Sequence, residues 1–208
     1  PGMRLALPVP GSSAAGLERQ LRAIADPMSL EMVDRVMRSL AEFHQSHSLP
    51  LPDIRAARMS GEYFEIYLGS PSALPDPWTE TEAGLVWSIT AAAAGALHPS
   101  YGSRAPYPTL VTVGVDESGA HIMLDMEHVV SLDVRGAFEV AHSSIAALAA
   151  ELATTPWADD LRVTLVGTVP ELGNVLNTGR IRHVPSLEHV IRELEERADA
   201  IVSALDGA

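Results

Sequence analysis

A chain of 208 residues, 47% of them hydrophobic, can bury a core of ordinary size as one domain, or as one domain with a helical appendage. It has no cysteine, and its 14 basic residues are all arginine. Disulfides, thiolate nucleophiles, cysteine-bound zinc, iron–sulfur clusters, Schiff-base lysines and phosphate-loop lysines are therefore excluded together, while a net charge of −13 works against nucleic acid and anionic membrane surfaces as partners.

Residues 1–11 (PGMRLALPVPG) are punctuated by proline and glycine and read as an extended lead-in. The chain opens on Pro1, as an excised piece of a longer protein would. Ser13 stands where a helix cap belongs, ahead of Leu17, Leu21 and Ile24 at helical spacing. Ser29 caps a second expected helix, with Val33, Val36, Met37, Leu40 and Phe43 on one face. Residues 1–52 thus form a lead-in and a helical pair, and residues 53–208 an α/β core, together expected as one compact unit.

The core opens on two strand-like runs, Ile54–Met59 and Tyr63–Leu68, joined by Ser60-Gly61. Residues 70–78 read as a proline-rich loop and Gly84–Thr90 as a strand, whereas Ala91–Leu97 fits strand and helix alike. The longest apolar run, Ile89–Leu97, falls far short of the ~20 residues that cross a bilayer. A soluble, cytoplasmic segment is expected, with any membrane anchor of the parent lying elsewhere.

Leu110–Val115 and His121–Met126 flank a turn at Asp116–Gly119 and give the clearest β signal; a third strand is expected at Val129–Val134. A helix from about Phe138 to Thr154 follows, then an apolar strand at Leu161–Gly167, a short helix in Pro170–Leu176, a strand at Ile181–Val184 and a final amphipathic helix capped by Ser186. The expected class is α/β: three-layer, with a mixed sheet, a parallel C-terminal part and an N-terminal helical pair.

Candidate chemistry is sparse. His121, Asp125 and Glu127 fall on one face of a strand, where two carboxylates and an imidazole could hold a divalent metal; the competing reading is a polar face with Ile122, Leu124 and Met126 turned inward. His44 and His47 suit the C-terminal end of a helix dipole. His183, beside Arg180 and Arg182, suits either an anion contact or a surface strand end. No Gly-x-Ser-x-Gly elbow or Gly-x-Gly-x-x-Gly turn occurs, and Ser143-Ser144 lie inside a helix. The loop 101–107 (YGSRAPY) has the composition of a binding surface, with Tyr101, Arg104 and Tyr107 as its anchors.

Two resemblances extend this reading. The order hairpin (LVTVGVDESGAHIMLDMEH), strand (VVSLDV), loop (Arg135-Gly-Ala-Phe-Glu139), helix resembles the start of FtsK/EssC-like P-loop motor domains. The loop offers one glycine and no Lys-Ser/Thr pair, so the resemblance implies a degenerate core without nucleotide binding. The phrases at 105–114 (APYPTLVTVG), 153–167 (ATTPWADDLRVTLVG) and 182–189 (RHVPSLEH) are similar to the middle region of large actinobacterial proteins carrying LysM and bacterial transcriptional activator (SARP-like) domains. That resemblance implies a regulatory parent.

The expectation is a non-catalytic interaction or sensor module, without cofactor, whose partners are proteins or other domains of its parent. A metal-dependent hydrolase using His121, Asp125 and Glu127 is the alternative. Nucleic-acid binding would require the arginines to gather on one face.

Overall fold

The computed structural model describes residues 29–100 and 102–206, so the helix expected after Ser13 lies outside the described residues. Helix α1 (Leu30–Ser46) begins where Ser29 Oγ accepts a hydrogen bond from the Met32 amide. Its stripe Val33, Val36, Met37 and Leu40 is fully buried, and a stripe of that width has to lie on an apolar surface. A sheet of six antiparallel strands supplies it.

Those strands are β1 (Ile54–Met59), β2 (Tyr63–Leu68), β3 (Thr79–Glu82), β4 (Val86–Thr90), β5 (Leu110–Val115) and β6 (His121–Asp125), in the spatial order β3-β4-β2-β1-β6-β5. Ala57 pairs with Ile66 on one side and Met123 on the other, which sets an apolar row across the middle of the sheet. A bulge between Ile54 and Ala56 lets Ile54 and Ala57 both face inward although they stand three positions apart. The short helix α2 (Ala91–Gly95), capped by Thr90, joins α1 over this face.

After β6 the chain departs from expectation. Val129–Val134 does not form a strand. Asp125 accepts from the Glu127 amide and turns the chain into helix α3 (Met126–Val129), after which residues 130–137 run as an irregular segment. Val130, at φ 62°, is 85% exposed, so the apolar residues that suggested a strand are not gathered under any cover. The strand that the P-loop resemblance places before its loop is therefore not formed. The inward face of β6 is also the reverse of the one expected: Met123 and Asp125 are buried, while Ile122 and Leu124 are half-buried on the other side.

Helix α4 (Phe138–Thr154) lies against β5 and carries the chain to a separate parallel pair, β7 (Val163–Val166) and β8 (Ile181–Val184), linked through helix α5 (Leu172–Leu176). Ala149 and Ala153 of α4 pack with Leu165, Val169 and Ile181 in a second, smaller core. Helix α6 (Leu187–Asp206) ends the described chain. The α/β class holds, with a helix ahead of the sheet and a parallel C-terminal part, and the parallel strands form a sheet of their own. Among the described residues no helix is long and apolar enough to cross a membrane.

The β5–β6 turn illustrates how the hairpin is locked. Asp116 Oδ1 accepts from the Ser118 amide and hydroxyl at 2.8 and 2.6 Å and from the Ala120 amide at 3.0 Å, while Gly119 takes the left-handed conformation the turn needs. Asp116 Oδ2 accepts from Arg58 Nε at 2.7 Å, and Arg58 also reaches Glu65 on β2. Bonds from Ser118 first, then Arg58, hold the Asp116 carboxyl well below the usual carboxylate range. Its folded pKa is thus lower than the ~3.9 of an unfolded aspartate, so its stabilisation is complete above that value and fades as pH falls toward the folded pKa. Asp116→Ala should lower the urea midpoint at pH 7, and the gap from the native chain should shrink steadily below about pH 4.

Candidate functional site

The structure separates the residues on which metal chemistry was considered. His121 and Asp125 share the same side of β6, but four residues of extended chain span roughly 13 Å, too far for one ion. His121 is exposed at the start of the strand, Asp125 is buried at its end, and Glu127 belongs to α3. Among the described residues no three His, Asp or Glu side chains are grouped to hold a metal.

Asp125 instead joins a different partner set. Thr109 donates its hydroxyl to Oδ1 at 2.5 Å, and His128 Nδ1 lies 3.3 Å from Oδ2. His128 Nε2 is 2.8 Å from Asp53 Oδ1, and Asp53 Oδ2 accepts from Arg55 at 2.8 Å. The result is a chain Thr109–Asp125–His128–Asp53–Arg55 across the β1 and β6 ends of the sheet. Sequence reasoning missed His128; the signal was its position three residues after Asp125, adjacent once α3 forms a helical turn.

The arrangement is that of a joint. A neutral imidazole carries one N–H and can donate to only one of the two carboxylates at a time. The Thr109 hydroxyl is committed to Asp125 and is not aimed at the imidazole as a nucleophile would be. The Arg55 guanidinium holds the Asp53 carboxyl below its ordinary range. A Cβ added at Gly69 would lie 2.4 Å from both Asp53 Oδ2 and Arg55 Nε, so the glycine lets this ion pair close over the backbone.

The expected binding loop also resolves into separate parts. Tyr101 lies outside the described residues. Tyr107 is buried and donates its hydroxyl to the Pro52 carbonyl at 2.5 Å; burial first, then the Asp125 and Asp53 charges, push its phenol upward in pKa. Arg104 is exposed and pairs with the equally exposed Asp160 at 3.0 Å. Tyr107 therefore serves the core, and Arg104 alone of the described pair faces solvent. His44 and His47 do not converge either: His44 is buried against the Pro50 carbonyl at 2.7 Å, and His47 turns back to the Phe43 carbonyl at 2.8 Å.

What the structure does present is uncovered apolar surface on the C-terminal unit. Leu187, Val190, Ile191, Leu194 and Val202 recur along one stripe of α6, as in a helix meant to be packed. Among its described residues Val190 alone is buried; Leu187 is 60% and Leu194 58% exposed. The first turn of α4 adds Phe138, 75% exposed, and Val140. Comparison of the chain with protein-family models, curated proteins and solved structures finds no match.

Proposed function

We propose that this chain is a non-catalytic interaction module of a larger regulatory protein, which engages another domain or protein through the apolar stripe of α6. The observation that carries the reading is the mismatch between the pattern of α6 and its burial. A stripe spaced for packing stands largely in water, and burying a leucine- or isoleucine-sized side chain contributes about 1.5–3 kcal/mol. Contiguous exposed apolar side chains of this kind mark interaction surfaces.

The acidic total and the dispersed titratable groups fit the same reading. Among the described residues no three His, Asp or Glu side chains are grouped to hold a metal, and the Thr109 hydroxyl beside the Asp125–His128 pair is taken up by Asp125. The resemblance to the middle region of LysM and transcriptional activator proteins supplies the regulatory context.

Hydrogen exchange in the intact parent tests it. Amides of α6 should exchange slowly, and Leu187→Ser with Ile191→Ser should speed them while leaving α1 and the six-stranded sheet unchanged. If α6 in the unaltered parent exchanges as fast as a solvated helix, the stripe is not a contact surface and the proposal fails.

A further inference from the structure

Four of the 14 arginines, from three separate stretches of the sequence, meet at one place. The parallel pair turns Leu165 and Ile181 toward α4, so its opposite face carries Thr164 and Arg182, which are paired in register. Helix α6 stands over that face, and Val190, Glu193, Leu194 and Arg197 of successive turns form a wall. The groove between them has a volume of about 490 Å³. It continues into a recess of about 440 Å³ that shares Arg162, Gly179, Arg180 and Arg197.

Charge decides what this groove suits. Arg182 is neutralised by Glu193 and held by Thr164 Oγ1 at 3.1 Å. Two aspartates line the recess, and each is paired with an arginine outside it, Asp159 with Arg38 and Asp160 with Arg104. Arg180 donates to the Thr155 carbonyl, a neutral acceptor. Among the described residues, Arg162 and Arg197 have no carboxylate within ion-pair distance. Among the described residues two guanidinium charges thus have no ion-pair partner, and a third, Arg180, shares Asp159 with Arg38, in a protein of net charge −13. Like charges repel, so such a gathering is held at a cost that a bound anion would remove.

We infer that this groove between β7–β8 and α6 is a binding site for a small phosphorylated molecule. A guanidinium offers paired N–H groups that match two phosphate oxygens, and several of them can surround a diphosphate. Gly179, at φ +70° with open space where a Cβ would stand, leaves the backbone beside the anion uncovered. Val190 and Leu194 provide an apolar wall for the organic part of the ligand. The volume is that of a small-molecule site and not of a track for a polymer.

Calorimetry on the full chain with inorganic pyrophosphate tests the site, with hexaglutamate as the competing anion. Pyrophosphate should bind saturably, more weakly as salt rises, because the attraction is electrostatic. Arg162→Gln combined with Arg197→Gln should weaken it by about tenfold or more, since each loses a charge-assisted contact. Arg135→Gln, which removes the same charge at an exposed residue that lines neither the groove nor the recess, should leave the affinity unchanged. Arg162 and Arg197 are exposed and unpaired among the described residues, so circular dichroism of the double variant should match the unaltered chain. The proposal is overturned by the absence of saturable pyrophosphate binding, by equal weakening in Arg135→Gln, or by hexaglutamate binding the tighter of the two.

Discussion

Trp157→Ala should lower the free energy of unfolding by about 3–5 kcal/mol, measured by urea titration at neutral pH. The indole is fully buried, and its Nε1 donates to the Leu110 carbonyl at 3.1 Å. Leu110 lies on β5, an edge strand of the six-stranded sheet, whose outer backbone groups would otherwise be unpaired. Trp157 closes one of them, and Glu151 of α4 closes another by accepting from the Thr112 amide at 2.9 Å. Truncation therefore opens a cavity and orphans a buried carbonyl at the same time. Trp157→Phe separates the two effects: it keeps most of the volume, loses the donor, and should cost about 1–3 kcal/mol. A loss under about 1 kcal/mol for the alanine variant would mean that the edge is held by other groups.

That edge marks where sequence reading stopped. Strands β1 and β2 were legible to the residue as strand-like runs on both sides of the Ser60-Gly61 turn signal, and α1 because its apolar stripe recurs at helical spacing behind a serine cap. Strand β3 was not, since Thr79–Glu82 has no apolar residue and is a strand by virtue of pairing with β4. Val129–Val134 misled for the opposite reason: it has β-branched residues, but the Asp125 cap diverts the chain before they can pair. The union of β1 with β6 joins residues far apart in sequence, so nothing local announced it, nor the burial of Asp125 that follows from it. The same holds for the arginine groove. Arg180 and Arg182 stand together in the sequence only as neighbours of His183, and folding brings Arg162 and Arg197 beside them.

Arg38→Ala should cost roughly 2–4 kcal/mol, because this side chain uses every N–H of its guanidinium. Nε donates to Asp34 Oδ1 at 2.9 Å, Nη1 to Ser103 O and Asp159 Oδ2, and Nη2 to Pro156 O and Asp159 Oδ1. One residue of α1 thus holds the loop before β5 and the segment that carries Trp157. Arg38→Lys should recover less than half of the loss, since an ammonium cannot make the paired contact to Asp159. The bond from Arg38 is also the main cause that holds the Asp159 carboxyl below its ordinary pKa. A depressed folded pKa stabilises fully above ~3.9 and loses its effect as pH falls toward the folded value, so the alanine variant should lose less stability between pH 5 and pH 3 than the native chain. A double-mutant cycle with Asp159→Asn should give a coupling energy of about 1 kcal/mol or more. Additive losses would assign the cost to the Ser103 and Pro156 carbonyls instead, and would remove Asp159 from the tie between the antiparallel sheet and the parallel pair.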